Sequence, residues 1–291
     1  MYRNKYRVII PFLFPSLLIY LTFVIYPYLR AMYISLTRWR GLAKPPEFIG
    51  LANFAKMMQD EYFWNALGNN GVYMIMLPVF TIGLALFFAF LLTQGVPFGK
   101  FYRVSYFFPQ VMSIVAIGVL WSFVYHPLIG MLNSLLQSIG INEPPVWLGN
   151  PDTVLGAVGS VMIWQAIGFF MIMFIASMEA VPDGLYEAAR IDGATGWHIF
   201  WHITIPMIWE TLQTAIIFIL IGAANMFAIT QTMTMGGPSR SSEVLSTYLY
   251  DEAFLNSEFG YGTAVAVALF VIIFLISVVL QRLMKRDTLE Y

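Results

Sequence analysis

The chain of 291 residues contains no cysteine. Disulfide bonds, thiol catalysis and cysteine-ligated metal sites are therefore excluded. Charge is also scarce, since Asp, Glu, Lys and Arg make up 11% of the residues, against about 25% in ordinary soluble domains. Hydrophobic residues make up 59%, and the formal net charge is −1. This composition is typical of a protein embedded in a lipid bilayer and does not indicate a nucleic-acid partner.

The sequence also lacks the motifs of an enzyme. Its Gly-Lys pair, Gly99-Lys100, is followed by Phe101 and has neither the spacing nor the Ser/Thr of a phosphate-binding P-loop. No nucleophile triad is visible. His198 and His202 stand four residues apart, but no third metal ligand lies near them in the sequence. We therefore expect no catalytic residue, no metal site and no cofactor in this chain.

Six long stretches carry no formal charge. About 20 apolar residues in a helix cross a hydrocarbon core of about 30 Å, and a charge at the centre costs roughly 2.5–3.5 kcal/mol. The sequence therefore predicts an all-α membrane protein with six transmembrane helices. The predicted spans are 8–29, 71–92, 104–125, 153–178, 207–229 and 262–284. No Asp, Glu, Lys, Arg or His lies inside their cores, since Glu210 sits at the cytoplasmic edge of the fifth span, and this disfavours a proton- or sodium-coupled transporter.

Six spans place both termini on one side of the membrane. That side holds nine of the fifteen Lys and Arg residues, so the positive-inside rule makes it cytoplasmic. The first segment on the other side is also basic and is the exception to this pattern. The nine residues are Arg3, Lys5, Arg7, Lys100, Arg103, Arg190, Arg282, Lys285 and Arg286.

The fourth loop has the sequence EAARIDGATGWHIFWHITIP over 187–206. Asp183 is expected to cap a short helix over 184–192, and Gly193 to end it in the left-handed conformation. Leu185, Ala188, Ala189 and Asp192 share one predicted face. Thr195 is expected to cap a second helix, before the fifth span. Because the loop covers 28 residues, 179–206, and a simple connection needs only a handful, we expect it to dock on another protein.

This loop resembles the EAA loop of ABC importer permeases. The residues that match the EAA pattern are Glu187, Ala188, Ala189, Asp192, Gly193 and the ending Ile203-Thr204-Ile205-Pro206. Ile205 replaces the usual leucine, and Glu210 stands where a second proline is common. The segments FVIYPYLRAMYISLTRW (23–39) and MGGPSRSSEVLSTYLYDEAFLNSEFGYGTA (235–264) are similar to those of sugar-type permeases, including the maltose and glycerol-phosphate permeases. Asn70 departs from that group, which usually has threonine there.

The resemblance implies a type I ABC importer permease in a prokaryotic inner or plasma membrane. It implies one permease domain over 1–291, a core unit over 66–285 and a cytoplasmic coupling helix within the loop 179–206. Glu187, Ala188, Ala189, Asp192 and Gly193 would dock on an ATPase. Two ATP-binding subunits would bind ATP and Mg²⁺, an external binding protein would deliver solute, and a second permease subunit would pair with this one. A heterodimeric pair is favoured over a homodimeric one.

The solute path is predicted from polar and aromatic residues inside the spans. Thr214, Gly222, Asn225 and Thr232 fall on one predicted face of the fifth span. Trp164, Gln165 and Gly168 belong to the fourth. Neutral groups of this kind suit a carbohydrate. For any single residue an ordinary contact between helices is favoured, and the cluster of Trp164, Gln165 and Asn225 is the predicted path. A glycerol-phosphate or polyamine importer, and a membrane scaffold or receptor without transport, remain alternatives.

Three further expectations concern helix packing and the outer loops. Surface helices are predicted at 131–140 and near 244–254, where a binding protein could contact them. Glycines are expected to let helices approach closely at four positions. These glycines are Gly156, Gly159, Gly168 and Gly222.

Overall fold

The computed structural model describes residues 5–41 and 45–285, without the side chains of residues 5–8 and 10. Arg3 and Arg286, used above to orient the chain, lie outside this part. The described residues form the following helices and strands: α1 (Lys5–Tyr20), α2 (Tyr26–Ser35), β1 (Thr37–Arg38), β2 (Glu47–Phe48), α3 (Ala52–Met58), α4 (Glu61–Thr93), α5 (Gly99–Phe107), α6 (Ile114–Val124), α7 (Met131–Ser138), α8 (Pro151–Glu179), α9 (Asp183–Ile191), α10 (Gly196–Ile199), α11 (Ile205–Met207), α12 (Trp209–Ala224), α13 (Phe227–Met233), α14 (Leu245–Tyr250) and α15 (Phe259–Met284).

Four helices among the described residues are long and apolar enough to cross a membrane: Pro11–Ser35, α4, α8 and α15. The first is continuous because the π-helical segment Leu21–Ile25 joins α1 to α2. Two further helix pairs pass the same test together but are sharply bent, so the number of spans is six if each bent pair crosses once. The all-α membrane fold class is confirmed, and the count of six spans stays a prediction.

The first bend corrects the predicted third span, and the second lies at the start of the predicted fifth span. Helix 104–125 was expected to be continuous, yet Gly99–Val111 and Ile114–Val124 meet at 101°. Pro109 lies in the short 3₁₀ turn before this bend and cannot donate a backbone hydrogen bond. In the predicted span 207–229, the segment Gly196–Met207 meets α12 at 74°.

By its contacts the chain divides into two compact units, Met1–Phe63 with Tyr248–Val271 and Trp64–Thr247 with Ile272–Tyr291. The core of the second unit surrounds α8, whose Met171 and Phe174 are fully buried. Glycine permits the predicted close approach at two positions on this helix. A Cβ on Gly159 would lie 1.8 Å from Met76 Cε, and a Cβ on Gly168 would lie 1.9 Å from the carbonyl oxygen of Tyr106.

The same expectation is wrong for Gly156 and Gly222. A Cβ at either position would meet nothing within 4 Å. Helical spacing alone did not reveal which side of each helix meets a neighbour.

In the first unit, a two-stranded antiparallel sheet follows α2, with Thr37 opposite Phe48. The buried side chain of Asn53 on α3 forms hydrogen bonds to the backbone at the start of this sheet. Its Nδ2 donates to the carbonyl oxygens of Ser35 at 2.8 Å and Thr37 at 2.9 Å. A Cβ on Gly260 of α15 would lie 2.0 Å from the same Thr37 oxygen, so glycine is required there.

Asp60, between α3 and α4, accepts several hydrogen bonds within the first unit. Its Oδ1 accepts from the backbone N–H groups of Tyr62 at 3.0 Å and Phe63 at 3.4 Å, which caps α4. Its Oδ2 accepts from the hydroxyls of Tyr248 and Tyr261. Partial burial raises the pKa of Asp60, but these four hydrogen bonds outweigh it and lower the pKa below its ordinary value of 3.8.

Because this pKa is depressed, Asp60 stabilises the unit above its ordinary titration range, and that stabilisation is lost as pH falls through the lowered pKa. We expect Asp60→Asn to make the segment around α3 several times more sensitive to proteolysis at pH 7. The variant should approach the wild type only below pH 3.8, where Asp60 becomes protonated in the folded protein. Limited proteolysis of the purified complex at several pH values measures this. The control is Glu61→Gln, next to Asp60 and exposed; an effect equal to that of Asp60→Asn would contradict the assignment.

The predicted surface helices have different outcomes. The helix at 131–140 is confirmed as α7, with an exposed Leu135. The surface location predicted near 244–254 is wrong for the first half, because residues 242–248 are all buried, whereas Phe254 at the end is 60% exposed. Two polar side chains of this stretch have local partners that allow burial, whereas the buried Ser246 hydroxyl has none among the described residues. Thr247 Oγ1 pairs with the backbone of Val244, and the buried Glu243 carboxylate pairs with Arg240 at 3.1 Å.

Candidate docking helix and solute path

The predicted short helix in the fourth loop is present as α9. Its C-terminus has the geometry expected of a glycine stop, since Gly193 has φ +78°. The Gly193 N–H donates to the Arg190 oxygen at 3.1 Å, and the Ala194 N–H donates to the Ala189 oxygen at 2.9 Å. These two bonds form a Schellman motif, which satisfies carbonyl groups at the helix end. A side chain at Gly193 would be strained by the backbone conformation rather than by crowding, because a Cβ there meets nothing within 4 Å.

The start of α9 differs from the prediction. Asp183 was expected to cap the helix, but it is the first helical residue, and Pro182 precedes it without a side-chain cap. Asp183 in the first turn and Arg190 in the last turn instead complement the helix dipole.

The two sides of α9 have different environments. Leu185 and Tyr186 are half-buried and pack against the core of the second unit. Four residues spaced i, i+3, i+4 and i+7 point away from it and are exposed, and Ile191 is 86% exposed. We call these residues the exposed face of α9: Gly184, Glu187, Ala188 and Ile191. Leu185 and Ala189 of the predicted face are half-buried, and Asp192 lies just beyond the helix, while the docking role of these residues stays a prediction.

Few side chains link α9 to the neighbouring helices. The Tyr186 hydroxyl lies 3.4 Å from Thr204 Oγ1, in the π-helical segment Phe200–Thr204. A cavity of about 330 Å³ separates much of α9 from the ends of α4 and α8. The Arg103 guanidinium, which is not one of its lining residues, pairs with Glu179 at the end of α8 at 2.8 Å.

The second helix of the loop begins as predicted. Thr195 Oγ1 accepts from the His198 N–H at 3.3 Å and caps α10. Phe200 is buried, whereas Trp197 and Trp201 are exposed beside it. The rings of His198 and His202 stack at 3.9 Å. The described residues contain no group of three or more His, Asp or Glu side chains placed to hold a metal ion.

The predicted solute-path residues of the fourth span lie on α8 in three environments. Trp164 is partly exposed, Gln165 is half-buried and Gly168 is buried against α5. Trp164 packs edge-on against Trp121, with ring centres 5.4 Å apart. Within the described chain, no hydrogen bond or ring contact joins Asn225 to Trp164 or Gln165.

An aromatic row that the sequence analysis missed continues from Trp164. Trp121 is followed by Tyr125 and then Trp147, with ring centres 5.3 and 5.9 Å apart. The Tyr125 hydroxyl lies 2.7 Å from Ser160 Oγ. The i, i+4 spacing of Trp121 and Tyr125 was visible in the sequence, but their contacts with α8 were not.

Asn225 lies at an interruption of the fifth span. Helix α12 ends at Ala224, Asn225 has φ −104° and ψ 51°, and α13 begins at Phe227. The predicted single face from Thr214 to Thr232 is therefore wrong. Thr232 instead packs on α6, where a Cβ on Gly118 would lie 2.9 Å from its methyl group.

The helix before this interruption is shorter than a hydrocarbon core. Helix α12 has 16 residues, so it extends about 24 Å, against about 30 Å for the core of a bilayer. Non-helical backbone inside a membrane is tolerated where it lines a cavity or is buried in protein, and interrupted helices mark solute sites in many transporters. Asn225 is exposed. No proline or glycine stands at 225 or 226, so the sequence carried no clear signal for the break.

Comparison with known proteins agrees with this architecture. Residues 72–288 match the family described as binding-protein-dependent transport system inner membrane component. The chain is 36% identical over 288 residues, 97% of each chain, to the probable ABC transporter permease protein YurN of Bacillus subtilis. It is 37% identical over 270 residues to the diacetylchitobiose uptake system permease protein NgcF of Streptomyces coelicolor, covering 89% of this chain and 76% of that one.

The fold matches that of a solved bacterial ABC transporter involved in the import of the acidic polysaccharide alginate. The TM-score is 0.85 at 22% identity, over 98% of this chain and 97% of that one. The chain belongs to the family of binding-protein-dependent transport system inner membrane components, the multi-pass permease subunits of ABC importers.

Proposed function

We propose that this permease subunit moves a carbohydrate into the cell by alternating access, driven by two separate ATP-hydrolysing subunits. The observation that carries the proposal is the exposed face of α9. A helix whose outward side is small at Gly184 and Ala188, with an apolar Ile191 at its end, suits a groove on a partner protein. The exposed Glu187 carboxylate would accept from a basic side chain at the rim of that groove.

Force on α9 would reach the spans through its flanking segments. Its N-terminus follows α8 after three residues, and its C-terminus leads through α10 and α11 to the 74° bend before α12. ATP-driven closure of two ATPases would move α9, and the bend at Ile208 is a natural hinge for tilting α12. The loop 179–206 is thus the coupling loop of a permease whose core unit covers 66–285.

A carbohydrate is the solute class that the available groups favour. Asn225, Gln165 and Trp164 offer an amide pair and an aromatic face, all without charge, which suit a neutral polyhydroxylated molecule. Several relatives carry sugar names, including an alpha-glucoside permease of Rhizobium meliloti, whereas one from Agrobacterium fabrum is named for sn-glycerol-3-phosphate. A phosphate would need a cationic partner, and none of the proposed path residues is cationic.

The full importer would contain a second permease subunit, forming a heterodimer, and an external solute-binding protein. A solved relative of the same fold is described in complex with an alginate pentasaccharide-bound periplasmic protein. We place the termini and α9 on the cytoplasmic side and α7 on the outer side, where a binding protein could reach it.

ATP hydrolysis by the reconstituted complex tests this function. We expect the hydrolysis rate to rise several-fold when the binding protein and its sugar are added together, and sugar to accumulate inside proteoliposomes. sn-Glycerol-3-phosphate and a polyamine serve as the alternative solutes. A membrane scaffold would give no stimulation with any of them, and stimulation only by an anionic or cationic solute would overturn the carbohydrate assignment.

A further inference from the structure

Three asparagines on one side of α4 bind the segment that follows the GGPS turn. Asn65 Nδ2 donates to the Arg240 oxygen at 2.7 Å, and Asn69 Nδ2 donates to the Glu243 oxygen at 2.8 Å. Asn70 Oδ1 accepts from the Leu245 N–H at 2.8 Å. Asn69 and Asn70 are 8% and 0% exposed, whereas Asn65 is exposed.

Asn70 makes one contact that the other two do not. Its Nδ2 also donates to the carbonyl oxygen of Ala223 at 3.2 Å. In a continuous helix this oxygen would accept from the N–H four residues later, but α12 stops at Ala224. The last carbonyls of a helix need other partners, and Ala223 is fully buried, away from water. Asn70 therefore provides a partner where the fifth span is interrupted.

We propose that Asn70 is a positioning residue that sets the conformation of the interruption at Asn225. One amide joins three segments: α4, the end of α12 and the start of α14. The orientation of Asn225 thereby depends on the segment 236–245, so a movement of that segment reaches the solute path through a single buried side chain. This inference rests on the proposed role of Asn225 in the path.

A single-cysteine reporter tests the proposal. The chain has no cysteine of its own, and a Cβ at Gly222 meets nothing within 4 Å, so Gly222→Cys fits one turn before the break. The measurement is the rate at which a small water-soluble methanethiosulfonate modifies this thiol in the assembled importer. Because loss of a buried hydrogen-bond pair shifts a conformational equilibrium strongly, Asn70→Leu should change the rate at least about fivefold.

Asn69→Leu is the matched control. It removes a buried asparagine from the same helix and one hydrogen bond to the same segment, which Asn65 and Asn70 still hold in place, and it does not touch α12. Its rate should stay within about twofold of the unsubstituted reporter. Asn70→Thr, which keeps a hydroxyl donor and acceptor, should fall between the two. If Asn70→Leu does not assemble, Asn70→Thr compared with Asn69→Thr carries the test.

An unchanged rate in the Asn70 variants, or an equal change in the Asn69 variants, would overturn the proposal. A different measurement, sugar transport, tests the proposed role of Asn225 in the solute path. Normal sugar transport by Asn225→Leu would remove Asn225 from the path, while the thiol reaction would still report whether Asn70 controls the break.

Discussion

Gly168→Ala is expected to destabilise the permease by about 3 kcal/mol. The added Cβ would lie 1.9 Å from the carbonyl oxygen of Tyr106, 2.3 Å from its carbonyl carbon and 2.7 Å from Phe107 Cα. All three are backbone atoms, so no side-chain rotation can relieve the overlap, and α5 must move away from α8. The thermal unfolding midpoint in detergent and the amount of chain in the membrane should both fall.

Gly156→Ala on the same helix is the control for this prediction. A Cβ at Gly156 meets nothing within 4 Å, and alanine is favoured over glycine in a helix by roughly 0.8–1 kcal/mol. The control should leave stability unchanged or slightly raised. Similar losses from both substitutions would contradict the packing of α5 on α8, whereas loss of transport in Gly168→Ala at normal stability would support a role of Gly168 in the solute path.

Ala188→Trp is expected to reduce ATP-driven uptake at least about tenfold, while the chain still reaches the membrane. Ala188 lies in the middle of the exposed face of α9, and its side chain is not buried in the core. A large ring there would keep the helix out of a groove shaped for small residues. Bulky residues at Glu187 or Gly193 should act in the same direction, the second by unwinding the helix end at φ +78°.

Ala188→Ser keeps the size of the side chain and should retain uptake near the wild-type level. Transport assays on proteoliposomes, together with the amount of ATPase subunit recovered with the permease, measure both variants. Normal uptake by Ala188→Trp would show that this face does not receive the driving force.

The charge-free stretches of the sequence predicted the long helices well, because insertion of charge into lipid is costly regardless of the rest of the fold. They could not predict the interruptions at Ser113 and Asn225. A broken helix and a continuous one have the same apolar composition, and the partner that permits the break at Asn225 comes from Asn70, far away in the sequence.

For α9 too, the sequence predicted one feature, the end of the helix, and missed another, the face that points outward. Gly193 predicted the end of α9 because its conformation is a local property. The outward face was not a local property, since two sides of α9 carry small residues and only the packing of Leu185 and Tyr186 on the core distinguishes them. Polar residues misled the prediction for α14, because Thr247 and the neighbouring Glu243 are satisfied internally.

We propose that an ATPase on the cytoplasmic side binds α9. Labelling of Ile191→Cys tests this contact, because Ile191 is 86% exposed and the chain has no other thiol. In inside-out vesicles, a membrane-impermeant maleimide should label this cysteine rapidly when the permease is alone and much more slowly when the ATPase subunits are bound. Labelling from the outer side of intact cells, or an equal rate with and without the ATPase subunits, would contradict the account.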